Sequence, residues 1–352
     1  MGYKEDALDF LGITAWHKAG YTGKGIKILS DEKVSEKYHS DVISPLGFRS
    51  KRGHGDDVML HIKLVAPDAE FIAYPFTGTF GANDYKCNCA DYIRNQGVHI
   101  FTTSCTGQYP AGGKQKAIQD CIKSGCIFFG AAGNDNKKGI KPEIQYEGYL
   151  AIGGVRPKFE GNYNGDEPIY NWNNFVKVGY SSVGEELDFV TLAEILGASG
   201  TSFCAPVFAA MVGLVQQFFI EKIGRRLTRP EMEHFIADNL LDVDIEGFDI
   251  RTGHGLFILP DPTTIKITDY VTDTNIGGID YSGFPSVPKE EEDMKVILTI
   301  DNHIIDIDGE EKAYDVAPFI KDNRTFVPVQ FLRDIGFNVE WKEDTRQVII
   351  TK

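Results

Sequence analysis

Gly197–Phe219 reads GASGTSFCAPVFAAMVGLVQQFF, a run of small residues that opens directly into an apolar stretch. The apolar part predicts a buried helix over about 200–222, with Gly200, Thr201 and Ser202 at its entrance. Small residues there leave a serine hydroxyl in the open, beside backbone N–H groups and the positive end of the helix dipole, which suits a nucleophile. They equally suit an ordinary N-cap, in which Ser or Thr satisfies the unpaired N–H groups of the first turn. The stretch alone favours the cap. The choice rests on what the remainder of the chain supplies.

Upstream, short apolar runs alternate with helical patterns. GIKILS (25–30), EFIAYPF (70–76), VHIFTTS (98–104), CIFFGAAG (126–133) and YLAIGGV (149–155) read as buried strands, while DDVMLHIKLV (56–65), 83–97 and 112–125 carry helical spacing between them. Alternation of this kind predicts an α/β fold, a doubly wound mostly parallel sheet with helices on both faces, with its chemistry at the carboxyl ends of the strands. A further helix is expected over about 229–240, with Pro230 in its first turn. Composition changes at 259–293, which is rich in Pro, Gly, Thr and acid and reads as an extended linker. Beyond it come a hairpin pattern over 295–309, a short helix over 325–336 and a second hairpin over 338–352, a β-rich α+β module of about 60 residues near the lower limit for independent folding.

The 352 residues are 42% apolar and 25% charged, ordinary for a globular protein. A net charge of −15 with a pI near 5.0 argues against nucleic acid or an anionic membrane as partner. No apolar run approaches the roughly 20 residues that span a bilayer, so no membrane span is expected. The six cysteines, at 87, 89, 105, 121, 126 and 204, are scattered rather than framed as in small disulfide folds, and free thiols in a reducing compartment are expected in preference to a metal site.

Two further stretches bear on the serine. In GHGDDVMLHIKLVAPDAEFIAY (53–74), His54 lies between glycines just ahead of an apolar helix. In FFGAAGNDN (128–136), Asn134 follows a buried strand and either closes a turn or offers its amide to a developing oxyanion. Taken together in chain order, YTGKGIKILSDE (21–32), HGDDVML (54–60), VAPDAEFIAY (65–74), TTSCTG (102–107), AAGN (131–134) and GTSFCAP (200–206) resemble the subtilisin-like serine proteases over roughly residues 11–258. The resemblance implies Ser202 as nucleophile, His54 as general base, and Asn134 with the Ser202 N–H as oxyanion donors. It implies a substrate cleft lined by Ser104, Cys105, Thr106 and Gly107 and by Ala131, Ala132 and Gly133, taking a protein or peptide substrate by strand pairing.

The third triad member departs from the family pattern, which has Asp followed by a small residue and Gly. Here the strand ends KILSDEKV (27–34). Family register puts Glu32 at the acid position, with Asp31 as the alternative; adjacent strand residues face opposite ways, so only one reaches His54. If neither does, the chain is a pseudoprotease that binds without cutting. Asp56 and Asp57 replace small residues after the histidine and are expected as a solvated helix start. No cofactor is implied; calcium loops are common in the family, yet no loop here matches one. The tail, with RTFVPV (324–329) and VEWKEDTRQV (339–348) its most specific parts, resembles the copper amine oxidase N-terminal-like module of many bacterial proteins, chiefly of Firmicutes and their phages. Its lone His303 is a poor copper site. Self-association or attachment is the expected role. With no export signal visible in MGYKEDALDFLG, a cytoplasmic or phage-associated setting is expected.

Overall fold

The computed structural model describes residues 3–74, 92–104, 120–136, 139–140, 148–160 and 169–271, and in the C-terminal part 296–298, 300, 303–307, 310–313, 316–321, 324–326, 338–342 and 347–351. Two compact units result, Met1–Ser286 and Val287–Lys352. The first is built on a nine-stranded sheet: β1 (Lys27–Ser30), β2 (Glu70–Ala73), β3 (Ile100–Thr103), β4 (Ile127–Ala131), β5 (Tyr149–Glu160), β6 (Ile169–Lys177), β7 (Phe189–Leu192), β8 (Leu240–Leu241) and β9 (Leu256–Phe257). The order is β2-β1-β3-β4-β5-β7-β9-β8, parallel except for β8 on β9 and for β6, which pairs antiparallel with β5. The five strands expected from the sequence are all present. The β5–β6 hairpin was not foreseen, because β6 (IYNWNNFVK) buries only Phe175 and so lacks an apolar run.

Adjacent residues of the central strands enter different cores. Ile28, Ile100, Ile127 and Phe129 join the cluster beneath α3 (His54–Val65) and α4 (Thr201–Ile223). Leu29, Ile72, Phe101 and Phe128 join a second, with Ile93, Cys121 and Cys126. Burial on both faces explains why these strands read as continuous apolar runs instead of alternating ones.

Helix α4 is the spine of the unit. It is 23 residues long and apolar enough to cross a membrane, contrary to the expectation drawn from uninterrupted runs, yet 94% of its most apolar window is buried inside the protein. The residues that break the run are themselves buried and bonded. Gln217 Oε1 accepts the N–H groups of Thr22, Gly23 and Lys24 at 2.9, 2.7 and 3.1 Å, and Gln216 pairs with the backbone of Leu227. Gly213 lies where a Cβ would touch Ile26, Ile28 and Ile100, so the helix seats closely on β1 and β3. The next helix (Arg229–Ala237) starts as the sequence predicts, with a Thr228–Glu231 capping box and Pro230 in its first turn.

The stretch expected as a linker from 259 begins on the core. Leu259 is buried and its N–H donates to Leu11, Trp16 Nε1 donates to the Pro260 carbonyl at 2.6 Å, and Tyr270 packs 4.8 Å from Phe235. Widely spaced apolar residues among Pro, Thr and Asp disguised this docking. Residues 272–293 lie outside the described ones. The second unit holds a three-stranded sheet, β10 (Val296–Leu298), β11 (Ile304–Ile307) and β12 (Glu310–Ala313), and two hairpins, β13 (Phe319–Lys321) with β14 (Arg324–Phe326) and β15 (Asn338–Lys342) with β16 (Gln347–Thr351). The expected 325–336 helix begins within strand β14, and its remainder lies outside the described residues.

Candidate active site

The carboxyl ends of β1, β3 and β4 converge on the start of α4. Just past β1, Glu32 is 6% exposed and its Oε1 lies 2.7 Å from His54 Nδ1. Asp31 is turned the other way and accepts a 2.5 Å bond from Thr103 Oγ1 on β3. Of the two acids left open by the sequence, Glu32 meets the histidine. A carboxylate only accepts, so Nδ1 carries the proton and Nε2 is left as the basic nitrogen. Gly55 makes the approach possible: a Cβ there would lie 2.9 Å from Glu32 Cβ and 2.6 Å from the Lys33 carbonyl. The Glu32 hydrogen bond is the main cause that raises the His54 pKa above its ordinary 6.5; burial opposes it, and the charges of Glu32, Asp57 and Asp31 add to it.

Asp56 corrects an expectation. It is fully buried, accepting the N–H of Ser35 at 2.7 Å and of Gly53 at 3.1 Å, so it ties the segment after β1 to the α3 N-terminus instead of lying in solvent. Asp57 is the outer acid and pairs with Arg52. Phe203, the residue after Ser202, lies between two imidazoles, with ring centroids 5.3 Å from His54 and 4.7 Å from His61. Burial holds His61 below the ordinary range, so it adds no fixed charge beside the base.

Ser202 is in the first turn of α4, where the helix offers its N–H no i−4 carbonyl. Its Oγ donates to the Ser104 carbonyl at 3.4 Å, and Ser104 Oγ donates back to the Ser202 carbonyl at 2.6 Å. Pro206 explains the second bond. It has no N–H, so Ser202 loses the donor that position i+4 normally supplies, and the hydroxyl at the end of β3 takes its place. Gly200, at φ +134°, admits the chain to the helix in a conformation L side chains rarely adopt.

Asn134 is exposed and oriented. Its Oδ1 accepts from the Thr201 N–H at 2.9 Å and from Thr201 Oγ1 at 3.0 Å, and Thr201 Oγ1 in turn accepts the Gly133 N–H at 3.1 Å. With the carbonyl end occupied, the Nδ2 end is free to face the cleft. The Asn134 loop is braced from behind: Ser182 N–H donates to the Gly133 carbonyl at 2.9 Å, and Lys177 Nζ donates to Asn136 Oδ1 and to the carbonyls of Val178 and Ser181 at 2.8–3.0 Å. Ala131 and Ala132 are buried beside this loop and Gly133 has φ +109°. Cys105, Thr106 and Gly107 lie outside the described residues. So do Cys87 and Cys89, while Cys121, Cys126 and Cys204 are buried free thiols. Among the described residues no group of three or more His, Cys, Asp or Glu is disposed to hold a metal ion.

From sequence, Asp56 reads only as a solvated helix start, and Thr201, Phe203 and Lys177 carry no assigned role in the site. Only Pro206 gave a visible signal, as a proline within a helical pattern whose freed carbonyl needs a donor.

A buried acid behind a histidine, a serine at a helix entrance and an anchored asparagine, all at one end of a doubly wound sheet, define a serine-hydrolase arrangement. Residues 50–255, more than half of the chain, match the subtilase family, and the chain belongs to it. Residues 286–350 match the copper amine oxidase N-terminal domain. The chain is 22% identical over 236 residues to subtilisin NAT of Bacillus subtilis subsp. natto, covering 57% of this chain but only 58% of that relative. It is 23% identical over 289 residues to the major intracellular serine protease of Bacillus subtilis (strain 168), covering 70% and 85%. Among solved structures, the prenylagaramide maturation protease PagA shares the fold with a TM-score of 0.55 at 17% identity, covering 71% of this chain and 96% of that one.

Proposed function

We propose that the protein is a serine endopeptidase acting on protein or peptide substrates. His54 Nε2 takes the Ser202 hydroxyl proton as Oγ attacks the scissile carbonyl. Asn134 Nδ2 and the Ser202 N–H receive the charge that develops on the carbonyl oxygen. The same imidazole returns its proton to the departing amine as the acyl-enzyme forms, and water then repeats the sequence to release the acid. Glu32 holds the required tautomer and stabilises the imidazolium. The observation that carries this reading is the 2.7 Å bond between buried Glu32 and His54 Nδ1, because a histidine held this way has its other nitrogen available as a base.

The acyl side of the substrate lies along Ser104 and the loop from Ala131 to Gly133. We assign the 286–350 module to attachment or self-association, supported by its match to a known domain. One observation favours a non-cutting, peptide-binding rival: Ser202 Oγ is bonded to the Ser104 carbonyl instead of His54. Catalytic hydrogen bonds are commonly loose before substrate enters, and rotation of this hydroxyl suffices for the enzyme reading. Hydrolysis of a denatured protein substrate separates the two. Cleavage that disappears in folded Ser202→Ala supports the enzyme; cleavage of equal rate in that variant removes the nucleophile assignment.

A further inference from the structure

We propose that a cavity of about 330 Å³ beside the serine loop, walled by Tyr3, Arg156, Phe159, Tyr170, Glu194 and Ser199, binds an aromatic side chain on the leaving-group side of the scissile bond. This assignment rests on the peptidase reading and adds a substrate preference to it.

Register fixes the place. Ala131, at the end of β4, pairs with Ile152, and Asn134 follows the carboxyl end of β4, while three residues further along β5 Val155 pairs with Leu192. Arg156, Phe159 and Glu194 continue just past that level. Across the carboxyl face, the order β3-β4-β5-β7 therefore runs from Ser104 to Asn134 to Arg156 to Glu194. A peptide with its acyl side at Ser104 and its carbonyl at Asn134 carries its amine side toward β5 and β7. Ser199 is only three residues before Ser202.

The walls select the ligand. Tyr170 lies 4.7 Å from Tyr3 and 5.0 Å from Phe159 between ring centroids, and the Arg156 guanidinium sits 4.7 Å over the Phe159 ring. Arg156 Nη1 and Glu194 Oε2 are 4.0 Å apart, and Glu194 Oε1 accepts from Ser199 Oγ at 3.0 Å. The two charges offset one another, leaving ring faces and a guanidinium as the recognising groups, which favour an incoming aromatic ring over an aliphatic or charged side chain. The site stands open: Phe159 in its wall is 44% exposed. Glu194 is held in the left-handed region at φ +62°, a strained conformation of the sort found where a loop is held for a task.

The test is cleavage of a mixed peptide library by the full-length protein, with mass spectrometry reading the three residues after each cut. Phe, Tyr and Trp should be enriched about tenfold over Ala at one of these positions, and the enrichment should collapse in Tyr170→Ala and in Arg156→Ala. An absence of enrichment, or enrichment unmoved in both folded variants, overturns the proposal. Should the folded wild-type protein cut nothing, the peptidase reading fails by itself, and titration with Phe-Ala amide then decides for the pocket. Saturable binding weakened by Tyr170→Ala supports it, and the absence of saturable binding contradicts it.

Discussion

Glu32 and Asp31 are neighbours with opposite partners, and their amides should behave oppositely. Glu32→Gln removes the acceptor that fixes the His54 tautomer, and should lower turnover by roughly four orders of magnitude. Asp31→Asn alters the bond from Thr103 on β3 and leaves the Glu32–His54 bond in place, so its effect should appear chiefly in thermal stability with most turnover kept. The pH profile gives a second readout. Because His54 is raised above 6.5 and must be neutral to act as base, kcat/KM should climb with pH through an inflection above 6.5. Protonated His54 also stabilises the fold, an effect full below 6.5 and lost as pH rises through the raised value. In Glu32→Gln the largest raising cause is gone while burial remains, so any residual activity should show its inflection at lower pH. An unshifted inflection would detach Glu32 from the base. Family register favours Glu32 as the acid with Asp31 as the alternative, and strand alternation lets only one of them reach His54. The alternative stays open in sequence because the outcome depends on where β1 ends relative to α3.

At the scale of elements, Pro206 and Ser104 are coupled through the Ser202 carbonyl, although 102 positions separate them in the sequence. Ser104→Ala should destabilise the α4 entrance by about 1 kcal/mol by leaving that carbonyl without its donor. Pro206→Ala restores a backbone N–H at the position that serves Ser202, so Ser104→Ala should cost measurably less in that background. Chemical denaturation of the four proteins in this double-mutant cycle measures the difference. Equal costs in both backgrounds would show that the helix does not need the hydroxyl. Such a pairing was half legible: the proline is visible in sequence, but its substitute donor comes from a strand that only the folded sheet brings near. Strands β1 to β5 were legible because burial on both faces makes them apolar without interruption. The β5–β6 hairpin was not, as asparagines interrupt its outer strand and only Phe175 there is buried.

For the whole molecule, the proposed catalytic residues all lie before residue 203, within the first unit, and residues 259–271 belong to that unit as well. A chain ending at Val271 should therefore keep short-peptide turnover and lose any self-association carried by the tail. One ending at Ile258 should melt about 5–10 °C lower, since it strips Leu259 and Tyr270 from the core and leaves Trp16 Nε1 without its acceptor. Equal melting temperatures would mean that the docked segment contributes little. Composition changes at 259, yet residues 259–271 dock on the first unit, because a few apolar residues are enough to seat a polar segment. The central claim, that Ser202, His54 and Glu32 act as one assembled unit, is tested most directly by a fluorophosphonate probe followed by peptide mapping. The expected result is one adduct per chain, on Ser202, formed far more slowly in folded His54→Ala and Glu32→Gln. No adduct on Ser202 in the folded wild-type protein, or labelling at the same rate in all three, would contradict it.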